Sequence, residues 1–376
     1  MDLFDFADEF GPAKIIHVYE PSVGLKGILV VDNVAMGPSI GGVRIAPDVS
    51  VEECFRLARA MTFKNAAAGL SHGGGKMVIY GDPKMPNEQK QQLMRAAASS
   101  LRNETDYIFG PDMGSNEECM AWVRDENARS VGLPREIGGI PLDEIGATGW
   151  GVRHATEVAL RYLNFELKGA AVVIQGFGSV GKHAARFLAE QGAVIIAAND
   201  TQGTIHNPDG LDIEALFKLK EEGKSVADYE GGTKLERDDI IGIECDIWIP
   251  AARPDVIHED NVHQLKTRLI VQGANIPITH AAEKILHEQG VLCVPDFIAN
   301  AGGVICAAME YHGATARAAS QAIEEKISRN TEKVLEISRK ENILPREAAI
   351  ELAAERIKKA MSFRRWSLFS SAPDFI

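Results

Sequence analysis

Two lysines and one aspartate carry the first chemical suggestion in this chain. Lys64 is followed twelve residues later by Lys76, across the glycine-rich stretch "AAAGLSHGGG". Two ammonium groups brought into one cleft disfavour each other's charge, and burial acts in the same direction. One of them can then give up its proton and serve as a base, while the other stays charged and holds a carboxylate. Asp112, in "GPDMGS", is expected on a rigid turn just before a helix, a usable place for a proton shuttle. Each residue alone also suits a solvated surface, and a carboxylate at a helix N-terminus is common. The three together are what point to chemistry.

A second group of residues suggests a ligand. The apolar run "AVVIQ" leads straight into "GFGSVG", which supplies Gly176, Gly178 and Gly181 with Ser179 and Val180 between the last two glycines. A helix pattern, "GKHAARFLAEQG", follows, and Asp200 ends the next apolar run. This is the context in which a GxGxxG segment binds a dinucleotide. The first glycine allows the tight turn, the second lets backbone approach a pyrophosphate, and the third lets helix pack on strand. The helix N-terminus offers unpaired N–H groups to the phosphates. Asp200 is expected to accept hydrogen bonds from ribose hydroxyls, which favours NAD over NADP because a carboxylate repels a 2′-phosphate. A nicotinamide cofactor implies hydride transfer.

These residues need elements to hold them. "KIIHVYE" and "LKGILVVDN" read as strands, and Ser50 with Glu53 forms a capping box ahead of the helical "VEECFRLARAMTFKNAAAG". The strand "KMVIY" and the helices "PNEQKQQLMRAAASSLR" and "NEECMAWVRDE" follow, the last starting from a capping box at Ser115 and Glu118. A Gly/Pro-rich break, "VGLPREIGGIPLDEIGATGWG", precedes a helix and five short apolar runs, of the kind expected for strands covered on both faces. The reading is an α/β protein of two domains. An N-terminal α/β domain spans 1–144 and a Rossmann-type dinucleotide-binding domain spans 145–324, and the helical 325–376 could cap the second domain or fold back onto the first.

The bulk properties narrow the class. The chain has 376 residues, 45% hydrophobic and 25% charged, enough for two ordinary domains with sizeable cores. Its formal net charge of -13 repels phosphate backbones, so nucleic acid is not the expected partner. No run approaches the roughly 18 apolar residues of a membrane span, and the acidic start "MDLFDFADEF" does not resemble a signal peptide. The five cysteines form no CxxC pair, so neither a metal site nor a disulfide framework is indicated. Reduced thiols in the cytoplasm are the simplest expectation.

Several long motifs resemble, in order, those of the amino-acid dehydrogenases acting on glutamate, leucine, phenylalanine and valine. They are "GLKGILVVDNVAMGPSIGGVR", "RLARAMTFKNAAAGLSHGGGKMVIYGDP", "GPDMGSNEECMAWV", "GATGWGV", "GFGSVG" and "NAGGVI". The resemblance covers nearly the whole chain. It implies oxidative deamination of an L-amino acid to a 2-oxo acid and ammonia with NAD or NADP, in a cleft between two domains of a homo-oligomer, with 1–144 the substrate domain and 325–376 returning to it. On this resemblance Lys64 binds the substrate α-carboxylate, Lys76 is the catalytic lysine that activates water, and Asp112 relays a proton to and from the amino group. Thr148, Asn275 and Asn300 correspond to positions around the nicotinamide and the cleft beneath it. Gly73 to Gly75 are then expected to keep side chains away from the cleft, so that substrate and nicotinamide can approach Lys76.

The same resemblance bears on the substrate. Glutamate dehydrogenases place a lysine before the "GG" of the stretch matching "SIGGVR", where this chain has Ile40 beside Gly41, and a serine where it has Ala307. A pocket lined by Ile40, Val304 and Ala307 is expected to receive an apolar side chain, each buried CH₂ adding about 0.8 kcal/mol. The leading expectation is therefore a leucine, valine, isoleucine or phenylalanine substrate. The alternative is glutamate with a substitute cation such as Arg44, and a remoter one is an NAD-binding amino-acid sensor without catalysis.

Overall fold

The structure is a computed structural model and describes residues 6–363. The chain forms two compact units. Of the described residues, the first comprises 6–142, 304–319 and 350–363, and the second 143–303 and 320–349. This division differs from the sequence-based one. The second unit claims 320–349, and the first claims 304–319, so all three unit boundaries beyond residue 300 fall inside continuous helices. Helical periodicity gives no sign of such a boundary, because an unbroken helix can pack on one body at one end and on another at the other.

The first unit is built on a five-stranded sheet: β1 (Lys14–Glu20), β2 (Leu25–Asn33), β3 (Ser39–Ala46), β4 (Gly73–Tyr80) and β5 (Tyr107–Pro111), in the order β1-β2-β4-β3-β5. β3 runs parallel to both β4 and β5, while β1 and β2 are antiparallel. Helix α1 (Val51–Ala67) covers one face, where Ile28, Val30, Val78, Cys54 and Ala58 pack together. α2 (Asn87–Ser100) and α3 (Glu117–Asn127) cover the other, over Leu29, Val31, Met77, Ile79, Met94 and Met120. Successive strand residues thus alternate between two cores, which explains why β2 reads as continuously apolar.

The second unit opens with α4 (Ala147–Leu160) and a seven-stranded sheet: β6 (Ala171–Gln175), β7 (Val194–Asp200), β8 (Gly203–His206), β9 (Thr233–Leu235), β10 (Ile247–Pro250), β11 (Leu269–Val271) and β12 (Leu292–Val294). The order is β12-β11-β10-β6-β7-β8-β9. The first five of that order are parallel, and β8 and β9 add an antiparallel edge that the sequence reading did not include. α5 (Ser179–Ala189), α6 (Ile213–Glu221), α7 (His280–Glu288) and the short α8 (Asp296–Ala299) complete the α/β pattern. Three helices close the described chain: α9 (Gly302–Tyr311), α10 (Ala316–Glu341) and α11 (Pro345–Met361). The end of α11 returns to the first unit, where Arg356 caps the C-terminus of α1 by donating to the carbonyls of Ala66 and Ala67.

All five cysteines are buried and unbridged. Burial pushes the thiols of Cys54, Cys245 and Cys306 up to about 12 and raises those of Cys119 and Cys293 as well. No described helix is long and apolar enough to cross a membrane.

Candidate functional site

In the first unit, the parallel strands place Lys76 on β4 and Asp112 just past β5, on either side of β3. Lys76 is buried, 6% exposed, yet its Nζ lies 2.5 Å from Asp112 Oδ2. The same carboxylate oxygen accepts from Arg44 Nε on β3 at 3.2 Å. Burial opposes ionisation of Asp112. The charge of Lys76 and its hydrogen bond win, with Arg44 adding to them, and hold the carboxyl below the usual carboxylate range. The sequence reading thus identified both members of this pair.

The turn carrying Asp112 is fastened by residues that the sequence reading assigned elsewhere. Ser115 is not the cap of α3, because Asn116 fills that place and accepts from the Cys119 N–H. Ser115 Oγ instead accepts from the Asp112 N–H and donates to the Val43 carbonyl. Glu53 likewise departs from a full capping box. Its N–H donates to Ser50 Oγ, but its carboxylate goes to Arg44 Nη1 at 2.6 Å. Polar side chains at the start of a helix have two such uses, and only the tertiary partner decides between them.

Lys64 lies half-buried in the last turn of α1. That turn is tied to β4 by Asn65 Nδ2, which donates to the Gly73 carbonyl at 2.7 Å. Ile40 is opposite Gly74 and Ile108 in register and only 4% exposed. Gly41 is buried, with Tyr107 Oη donating to its carbonyl. Val304 and Ala307 are half-buried on α9.

Gly73 to Gly75 belong to β4 itself rather than to a loop before it. A Cβ at Gly73 would meet the Asn33 carbonyl oxygen at 1.8 Å, at Gly74 the Thr62 nitrogen at 2.0 Å, and at Gly75 the Ser39 hydroxyl at 2.7 Å. The space beside these glycines is filled by protein, so their first task is close packing of α1 and the neighbouring strands around Lys76.

In the second unit, β6 ends at Gln175 and the glycine turn leads into α5. Gly176 has φ +97, and a Cβ there would meet Ala252; a Cβ on Gly181 would meet the Gly176 carbonyl. Gly178, the N-cap of α5, is exposed and a Cβ there would meet nothing within 4 Å. Open space at the second glycine, next to the N–H groups of Ser179 and Val180 at a helix N-terminus, fits a dinucleotide's pyrophosphate. Asn199 anchors the turn by accepting from the Gly176 N–H at 2.7 Å. Asp200 accepts four hydrogen bonds, from Lys220 Nζ, Ser225 Oγ and the backbone N–H groups of Gln202 and Val226. Burial works against its charge, but the Lys220 hydrogen bond and the other donors hold the carboxyl below its ordinary value.

Asn275 and Asn300, which the resemblance places near the nicotinamide, come together in this unit. Asn300 Nδ2 donates to Asn275 Oδ1 at 2.9 Å, and its own buried Oδ1 has no hydrogen-bond partner. A Cβ on Gly303 would stand 3.3 Å from Thr148 Oγ1. An orphaned buried acceptor beside an amide cluster suits a ligand that donates, such as a carboxamide.

Residues 12–129 match the Glu/Leu/Phe/Val dehydrogenase dimerisation domain, and residues 138–365 match the Glutamate/Leucine/Phenylalanine/Valine dehydrogenase domain. The chain belongs to this family. It is 38% identical to the glutamate dehydrogenase of Aeropyrum pernix over 89% of this chain and 85% of that protein. It is 34% identical to that of Thermotoga maritima, over 90% and 86%. Among solved structures it is similar to the hetero-hexameric glutamate dehydrogenase from Thermus thermophilus in its leucine-bound form, with TM-score 0.83 and 26% identity over 95% of this chain and 91% of that one. The glutamate dehydrogenase from Peptoniphilus asaccharolyticus gives TM-score 0.82 and 27% identity, over 95% and 92%.

Membership corrects the expected substrate. Both curated relatives are glutamate dehydrogenases, which overturns the assignment to an apolar or branched-chain amino acid. The physical reason lies in Ile40. Its apolar side chain is accounted for by the sheet core in which it is buried, so it does not call for an apolar ligand.

Proposed function

We propose that this dehydrogenase catalyses the reversible oxidative deamination of L-glutamate to 2-oxoglutarate and ammonia, with NAD as the preferred cofactor. The pair of buried Lys76 and half-buried Asp112 carries the chemistry, and the likeness to glutamate dehydrogenases over nine tenths of the chain carries the substrate. The N–H groups of Ser179 and Val180 and the Asp200 carboxylate would hold the dinucleotide, which would supply an acceptor for the Cα hydrogen and its electron pair and so allow a carbon–nitrogen double bond to form. Lys64 holds the α-carboxylate. Lys76, having given up its proton, takes one from water as the water oxygen bonds to Cα. Asp112 relays that proton from Lys76 to the nitrogen; the bond from nitrogen to Cα then breaks as the new hydroxyl gives its proton to Lys76 and its oxygen becomes the carbonyl of the 2-oxo acid, and ammonia leaves. Arg44 is committed to Asp112 and Glu53, and so does not serve as the cation for the distal carboxylate.

NAD is supported by the carboxylate of Asp200 at the end of β7. Its ion pair with Lys220 offsets part of that charge, so the preference over NADP is expected to be modest. Assembly of several copies is supported by the dimerisation-domain match and by the hexameric Thermus thermophilus relative.

The deciding experiment measures kcat/KM for glutamate, leucine, valine, isoleucine and phenylalanine with each nicotinamide cofactor. Glutamate with NAD is expected to be highest, and Lys76→Ala is expected to lower kcat by about a thousandfold. A higher kcat/KM for any of the other four amino acids would overturn the substrate.

A further inference from the structure

We infer that Arg44 is a positioning residue for proton transfer, fixing Asp112 against Lys76 and holding its negative charge whichever protonation state Lys76 adopts. This rests on the reading of Lys76 and Asp112 as the reacting pair. Three successive residues of β3 shape the place of Asp112. A Cβ on Gly42 would stand 2.7 Å from the Asp112 Cβ, so only glycine leaves room for it. Val43 receives the Ser115 hydroxyl that in turn accepts from the Asp112 N–H. Arg44 donates through Nε to the very oxygen that Lys76 contacts. The guanidinium is itself anchored by Glu53, whose backbone is pinned at the start of α1 by Ser50.

The chemistry requires Lys76 to lose its charge when it acts as a base. With Lys76 as its sole cation, Asp112 would then gain proton affinity and capture the proton that must move on. Arg44 does not deprotonate, so its charge persists through that moment. Asp112 is thereby a carboxylate that passes a proton rather than one that stores it. The charged and titratable groups facing Asp112 are Lys76 from β4, Arg44 from β3 with Glu53 behind it on α1, and Tyr107 from β5. Burial raises the Tyr107 phenol far above its ordinary value, so it stays neutral across the working range.

The test replaces Arg44 with Gln and with Lys, and follows kcat and KM across pH. Arg44→Gln is expected to lower kcat about tenfold with KM for glutamate nearly unchanged, and to move the acid limb of the profile up by about one pH unit. Arg44→Lys is expected to recover most of both effects. Glu53→Gln, which leaves Arg44 in place but loosens its anchor, is expected to shift the limb in the same direction by less, and serves if the Arg44 variants fold poorly. A raised KM with an unmoved acid limb would mean that Arg44 binds substrate, and would overturn the inference. Infrared titration of the carboxyl bands, taken as wild type minus Asp112→Asn with and without Arg44→Gln, decides the point without turnover. An Asp112 that titrates alike with and without Arg44 refutes the inference. An absence of NAD(P)H formation by the wild type with any amino acid refutes only the functional reading.

Discussion

Glycine-rich segments mark both units, and they do opposite things. In the first, Gly73 to Gly75 are enclosed, with backbone or side-chain atoms of Asn33, Thr62 and Ser39 where a Cβ would go. In the second, Gly178 faces open space at the start of a helix, while Gly176 and Gly181 on either side are enclosed. One segment is spent on packing a strand tightly enough to bury a lysine, and the other keeps a single opening for a ligand. The sequence invites the same reading for both. The difference is whether the volume freed by the missing side chain belongs to the protein or to something that binds it.

Adding a methyl group at each position tests this contrast directly. Gly74→Ala should cost the most, since its Cβ falls on backbone of α1 rather than on a movable side chain. Denaturant unfolding is expected to show a loss of about 3 kcal/mol or more. A loss below half of that would mean that α1 can shift, and that the packing is looser than its geometry. Gly178→Ala comes next. It should leave unfolding free energy within about 0.5 kcal/mol, while weakening NADH binding about tenfold, or about 1.4 kcal/mol. Fluorescence titration against NADH separates the two effects, and equal losses of stability and binding would erase the contrast.

The smallest effect concerns the acidic end of the dinucleotide turn. Lys220→Met should cost about 1 kcal/mol of stability at pH 7, the size of a partly exposed ion pair. The Asp200 carboxyl is held below its ordinary value, so its stabilisation is complete above the unfolded carboxyl's pKa, near 4. It disappears as pH falls through the lower, folded value. The wild type and variant should therefore converge in acid, and a difference that persists at pH 3 would assign the effect to packing instead.

Much of the fold could be read from the residues alone, because helices and buried strands have periods that the chain displays. β3 was not legible. Its "IGG" looks like a break, yet the strand sits between β4 and β5, where Gly41 and Gly42 admit the Gly75 carbonyl and the Asp112 side chain. β5 is five residues long and ends in Gly-Pro, again a turn signal by composition. Lys76 and Asp112 were legible as types and through family likeness. The roles of Arg44, Glu53 and Ser115 were not, since each could satisfy a nearer partner and the chosen one is supplied by tertiary structure. Ile40 shows a further limit, because an apolar residue beside a site and an apolar residue in a core look identical in a sequence.

The buried cysteines have a practical consequence. Cys54, Cys119 and Cys306 lie in the first unit, Cys245 and Cys293 in the second, and none presents a thiolate to solvent. A thiol-reactive dye added to the folded enzyme should react only as fast as the protein opens. Mass spectrometry of the labelled peptides would then time the opening of each unit separately, a pair of internal clocks that needs no engineering.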